Sequence, residues 1–205
     1  MSSPHRRIGM FGGAFDPPHN GHVALARTAI EQLRLDELRI FPTGQAWHKA
    51  RSLSDGTLRL AMSELAFAQI PRVKVDTREV LREGPTYTVD TLRELRHEWP
   101  EAQLLLIIGA DQAETLHTWK SSDEIARLAI LSIAARARPV SDAPPADISN
   151  LPPGFYEPIN LPPIVVSSTE VRARAAAGQP IEHLVPHAVA RYIAEHHLYQ
   201  PPLSP

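Results

Sequence analysis

GGAFDPPHNGH, Gly12 to His22, stands between the apolar run RIGMF (7–11) and the amphipathic stretch GHVALARTAIEQL (21–33). Its paired glycines, two prolines and aspartate are turn residues rather than core residues. RIGMF reads as a buried strand, and Val23, Ala26, Ile30 and Leu33 recur at helical spacing in the segment that follows. Strand, glycine-rich junction and helix together make the opening unit of an α/β fold, in which ligands collect at the carboxyl ends of the strands. Gly12 and Gly13 let backbone N–H groups come close to an anion there, and a helix starting near Asn20 or Gly21 turns its positive end to the same place. With Asn20 as the cap, His19 precedes the helix and His22 lies in its first turn, so both imidazoles reach the space before the helix end. Two N–H donors at that point suit a phosphate.

The same alternation runs along the chain. ELRIFP (37–42) predicts a strand closed by proline, DGTLRLAMSELAFAQ (55–69) a helix with Leu58, Ala61, Met62 and Leu65 inward, and RVKVD (72–76) a third strand. YTVDTLRELRHEW (87–99) predicts a helix capped by Thr86 and stopped before Pro100. QLLLIIGAD (103–111) is an unbroken apolar run of the kind buried on both faces of a parallel sheet, and LAILSIAA (128–135) is another. From Pro139 to Pro163 proline is too frequent for a regular element before YEPIN, which predicts a surface loop and a short strand. VVSSTEVRARAAAG (165–178) reads as a strand end passing into a helix closed by Gly178; a last helix spans 186–197, and the tail from residue 200 is expected to be disordered. The fold class is α/β, Rossmann-like, a mostly parallel sheet with helices on both faces.

At 205 residues and 43% hydrophobic, the chain supports one substantial core, read as a single domain over 1–205. A net charge of −2 provides no global pull towards nucleic acid or anionic membrane, so neither is expected as a partner and any phosphate must be held by a local cluster. Cysteine is absent, which excludes disulfides, thiolate catalysis and cysteine-held zinc or iron–sulfur sites. No apolar run reaches the roughly 18 residues of a membrane span, and MSSPHRRIGM lacks the apolar centre of a signal peptide; the reading is cytoplasmic. His-x-x-His is also half of a metal site, but no suitable third ligand lies nearby in sequence, so no dedicated metal site is expected.

GGAFDPPHNGH resembles the GG-x-FDP-x-H-x-GH signature of the nucleotidyltransferases that transfer an adenylyl or cytidylyl group from a nucleoside triphosphate, and SSTEVR (167–172) resembles their second signature, ISST-x-x-R. Within that superfamily the chain is similar to the bacterial nicotinate-nucleotide adenylyltransferases. PTYTVDTL (85–92), IIGAD (107–111) followed by TW (118–119), Arg138 with Pro139, and VARYIAEHHLY (189–199) match that family, so the likeness spans residues 7–199. Two departures stand out: Ala46, Trp47, His48 and Lys49 replace a Pro-Pro-His-Lys loop, and Ala137 precedes Arg138 where the family often has a second basic residue.

The resemblance implies joining of ATP and nicotinate mononucleotide to give nicotinate adenine dinucleotide and pyrophosphate, in NAD biosynthesis, with Mg²⁺ arriving on ATP. It implies His19, His22 and Arg172 as catalytic; Gly12, Gly13, Ala14, Phe15, Lys49, Ser168 and Thr169 as ATP-binding; and Tyr87, Thr88, Asp111, Trp119 and Arg138 as mononucleotide-binding. By residue type alone, Trp119 is equally a packing aromatic, Tyr87 and Thr88 a helix start, and Asp111 an N-cap. A pantetheine-phosphate adenylyltransferase is the nearest alternative, but that family usually has threonine where His19 stands and lacks the TYT and TW segments. A NAD-binding dehydrogenase would need G-x-G-x-x-G, which GGAFDPPH does not supply. A catalytically silent nucleotide-binding module would have lost His19, His22 or Arg172.

Overall fold

In this computed structural model, which describes residues 5–44, 53–136, 156–162 and 164–200, the apolar runs become six parallel strands. They are β1 (Arg7–Gly13), β2 (Glu37–Pro42), β3 (Val73–Val75), β4 (Gln103–Gly109), β5 (Ile130–Arg136) and β6 (Tyr156–Leu161), in the sheet order β3-β2-β1-β4-β5-β6. The helices are α1 (Asn20–Gln32), α2 (Gly56–Phe67), α3 (Arg78–Leu81), α4 (Thr88–Glu98), α5 (Ala110–Glu114), α6 (Ser122–Leu128), α7 (Ser168–Ala176) and α8 (His187–Glu195), with a single 3₁₀ turn at Leu116–Thr118.

A strand covered on both faces must be apolar at every position, and β4 shows the consequence. Leu105 and Ile107 enter the core under α1, α2, α7 and α8, while Leu104, Leu106 and Ile108 enter the core under α4 and α6. Gly9 of β1 is small because a Cβ there would lie 2.6 and 2.8 Å from the tips of Leu35 and Leu38. Sheet order reverses direction between β1 and β4, and such a switch point opens a crevice at the strands' carboxyl ends.

Several local expectations are corrected. β4 stops at Gly109 rather than Asp111, because the Gly109 N–H donates to Gln112 Oε1 (3.2 Å) and the chain turns into α5. The inward face of α2 is Arg59, Met62, Ser63, Ala66 and Phe67, so Leu58, Ala61 and Leu65 are only partly covered. α4 is capped by Tyr87 without a side-chain bond, and Thr86 is buried instead. The residues before α7 pair with no strand, and Val165 is exposed. Helices α3, α5 and α6 span too few residues to show a period. YEPIN does lie in a strand, and Pro158 is tolerated there because β6 is an edge. Among the described residues no helix is long and apolar enough to cross a membrane.

Candidate active site

The β1–α1 junction is built by contacts that its sequence alone does not reveal. Phe15 takes a left-handed backbone conformation (φ 46°) and buries its ring edge-on against Phe11, Phe67 and His22. A non-glycine residue there costs on the order of 1–3 kcal/mol and persists only when its surroundings hold it. Gly13 permits the bend, since a Cβ at that position would lie 3.0–3.3 Å from the Phe15 ring. Gly12 has nothing nearer than 4.0 Å to such an atom, which leaves its backbone open to a ligand.

The loop beyond is tied down from far parts of the chain. Asp16, buried, accepts the Tyr199 hydroxyl on Oδ1 (2.8 Å) and the Ser54 N–H on Oδ2 (3.2 Å). Burial, with the Asp16 charge behind it, pushes the Tyr199 phenol well above its ordinary range. Arg172 donates to the Asp16 carbonyl (2.7 Å) and to Thr169 Oγ1 (3.2 Å), and Ser168 donates to the Pro17 carbonyl (2.9 Å). The first turn of α7, whose N-cap is Ser167, is thereby fastened to the Asp16-Pro17 segment.

His19, not Asn20, is the N-cap of α1; Asn20 instead donates from its side chain to the His183 carbonyl (3.1 Å). The His19 N–H donates to His22 Nδ1 (3.1 Å), so the proton of a neutral His22 imidazole stands on Nε2. The two rings stack, with centroids 3.6 Å apart and planes at 18°. Gly21 is small for the same reason: a Cβ would lie 3.1 Å from His19 Nδ1 and 3.2 Å from Val166.

A cavity of about 370 Å³ opens at the switch point. On one side it is lined by Gly12, Gly13 and Ala14, on the other by Tyr87, Thr88, Trp119 and Lys120, with Ile107 and Ile108 of β4 between. It thus joins the first signature to the TYT and TW segments. Phe15 contributes no lining side chain; Asp111 is exposed and outside the lining, where its neighbour Gln112 stands. Lys49 and Arg138 lie outside the described residues. Among the described residues, no three or more of His, Cys, Asp or Glu cluster closely enough to hold a metal ion.

The profile of the cytidylyltransferase-like family matches residues 10–174, which takes in both signatures. A probable nicotinate-nucleotide adenylyltransferase of Albidiferax ferrireducens is 50% identical over 195 residues, covering 95% of this chain and 98% of that protein. One of Methylibium petroleiphilum is 45% identical over 205 residues, covering 98% and 96%. This chain belongs to the nicotinate-nucleotide adenylyltransferase family. The fold agrees with that of the Plasmodium falciparum nicotinic acid mononucleotide adenylyltransferase solved with NaAD, with a TM-score of 0.77 at 21% identity over 95% of this chain and 98% of that one.

In this adenylyltransferase three further groups help to form the site. Arg59 reaches from α2 to the carbonyls of Ala14 (2.9 Å), Ser54 (2.9 Å) and Gly44 (3.4 Å), and burial lowers its pKa. The Ser63 hydroxyl, one turn further along α2, bonds back to the Arg59 carbonyl (2.7 Å). Glu79, also in the lining, is 4% exposed, and burial raises its carboxyl to about 7 against the lowering effect of the Thr91 hydroxyl, which donates to it at 2.7 Å, and of Arg82. Thr86 Oγ1 is buried without a hydrogen-bond partner and also belongs to the lining. Nothing in the local sequence marks these groups, because their roles come from residues far along the chain.

Proposed function

We propose that the protein transfers the adenylyl group of ATP to nicotinate mononucleotide, releasing pyrophosphate and forming nicotinate adenine dinucleotide. The observation that carries this reading is the continuous cavity from the Gly12–Ala14 backbone to the Tyr87, Thr88 and Trp119 wall. The groups assigned to the phosphates, His19, His22, Ser168, Thr169 and Arg172, stand at the same β1–α1 junction, outside that lining.

The acceptor phosphate, with a second pKa of about 6, is already an anionic nucleophile near neutral pH, so the protein needs no nucleophile of its own. Its task is to align attacking oxygen, α-phosphorus and leaving oxygen, and to stabilise the charge growing on pyrophosphate. His22 donates from Nε2, with His19 stacked beside it, and the α1 N-terminus adds its dipole. Arg172, Ser168 and Thr169 act from the α7 side, where the bonds of Arg172 and Ser168 to the Asp16-Pro17 segment also set the shape of the cradle and the Thr169 hydroxyl accepts from Arg172. Phe15 acts through its backbone, since its ring is enclosed. Lys49, outside the described residues, is assigned to the phosphates by the family resemblance alone. Mg²⁺ belongs with ATP: the groups gathered at the junction are imidazoles, hydroxyls and a guanidinium, and the nearby Asp16 carboxylate is taken by Tyr199 and Ser54, so phosphate and water oxygens hold the ion. At the other end Trp119 offers a face to the cationic pyridinium, and the Thr88 and Val89 N–H groups at the start of α4 meet its carboxylate.

Release of pyrophosphate from ATP, measured against nicotinate mononucleotide, nicotinamide mononucleotide and phosphopantetheine, tests the assignment. Turnover with the first is expected to lead. Turnover with phosphopantetheine alone would overturn it.

A further inference from the structure

We propose that the Lys120 ammonium is the side-chain charge that selects an acceptor bearing a ring carboxylate over its uncharged amide. The inference rests on the acceptor reading above and adds a residue to it. Lys120 follows Trp119 directly and lines the same end of the cavity as Tyr87 and Thr88. Its Nζ sits 4.0 Å from the centroid of the Tyr87 ring, which holds a cation without consuming its hydrogen bonds.

Its ion pair leaves most of that charge available. The nearest carboxylate oxygen, Asp90 Oδ2, is 3.7 Å away, beyond hydrogen-bond reach, while the other oxygen of Asp90 receives Arg93 at 2.7 Å. Arg93 is shared between Asp90 and Glu124, and the Lys120 ammonium, held over the Tyr87 ring rather than hydrogen-bonded to Asp90, keeps its N–H donors for a ligand. Of the described residues lining the cavity, only Glu79 and Lys120 carry an ionisable acid or basic side chain, and Glu79 stands at the α3 wall, bonded to Thr91. The electrostatic balance at the Trp119 end thus belongs to Lys120, beside the α4 N-terminus, which is itself positive. A carboxylate held there faces a cation and the N–H groups of Thr88 and Val89 at the helix start together; a carboxamide presents no charge for the cation to meet and brings N–H donors of its own.

The test measures kcat and KM with ATP for nicotinate mononucleotide and nicotinamide mononucleotide, in the wild type, Lys120→Met, Lys120→Gln and Lys120→Arg. The acid-over-amide ratio of kcat/KM is expected to fall about fivefold in the Met and Gln variants, as befits a half-exposed charge pair. The fall should sit in the KM for the acid, and Lys120→Arg should keep most of the preference. The wild-type ratio should also decline as salt rises, because the ammonium is partly open to solvent. A ratio unchanged in the Met and Gln variants, an equal loss for both acceptors, or a salt-independent wild-type ratio overturns the inference. A wild type that uses neither nucleotide overturns the acceptor reading instead, so the two failures are distinct.

Discussion

His22 and Glu79 show how much the surroundings of one residue decide. His22 lends its Nδ1 to the His19 N–H, so its donor is confined to Nε2. Loss of one donor to charge that develops only in the transition state costs about 3 kcal/mol. Replacement by alanine should therefore lower turnover at least a hundredfold while thermal unfolding still shows a folded protein; near-normal turnover would remove the histidine from the chemistry. Glu79 carries a different consequence. Its carboxyl titrates near 7 in the fold and near 4.5 in the unfolded chain, so between those values the folded state binds the extra proton. Its contribution to stability is whole below pH 4.5 and is lost as pH rises through 7, by about 3 kcal/mol in all. Denaturant unfolding at pH 5 and pH 8 should show Glu79→Gln gaining on the wild type by about that amount as pH rises. Parallel stability curves would contradict it.

Elements far apart in the chain meet at one loop. The segment after α8 sends the Tyr199 hydroxyl into the buried Asp16 carboxylate, α7 pins the same segment through Arg172 and Ser168, and α2 supports it from below through Arg59. The C-terminal LY of the family likeness is thereby explained as a latch on the first signature. Tyr199→Phe removes a donor from the buried Asp16 carboxylate, and such a loss costs about 1–3 kcal/mol. Urea unfolding should register that cost, and the KM for ATP should rise as the loop loosens. An unchanged midpoint would mean that the contact carries no net stability.

At the scale of the whole molecule, the reversal of sheet order between β1 and β4 brings the Gly12–Ala14 backbone and the Tyr87, Thr88 and Trp119 wall to one crevice. Histidine is a competent nucleophile when neutral, yet in the proposed reaction the acceptor phosphate is itself a nucleophile, and stacked imidazoles, a guanidinium and two helix starts suit holding charge better than accepting an adenylyl group. Direct in-line displacement inverts configuration at the α-phosphorus, whereas a covalent adenylyl-enzyme inverts it twice. With ATP made chiral at that phosphorus by sulfur, the product should show inversion. Net retention, or labelled adenylyl-enzyme trapped without acceptor, would rule out the direct path.

Strand and helix periods, the glycine junction and both signatures are local patterns, so the parallel α/β sheet was legible from the chain alone, and the signatures single out His19, His22 and Arg172 as candidates. The short helices α3, α5 and α6 were not, since fewer than two turns or little more leave no period to read. The cap at His19, the buried Arg59 and the partnerless Thr86 hydroxyl were equally hidden, because each depends on a carbonyl, a ring or a wall supplied by residues distant in sequence. Lys120 is the sharpest case. As a sequence letter it is one more surface lysine, and only packing against Tyr87, with Asp90 already held by Arg93, gives it a charge to spend at the cavity. Backbone period follows from neighbours a few residues away, whereas the field at a site is the sum of charges that only the folded chain brings together.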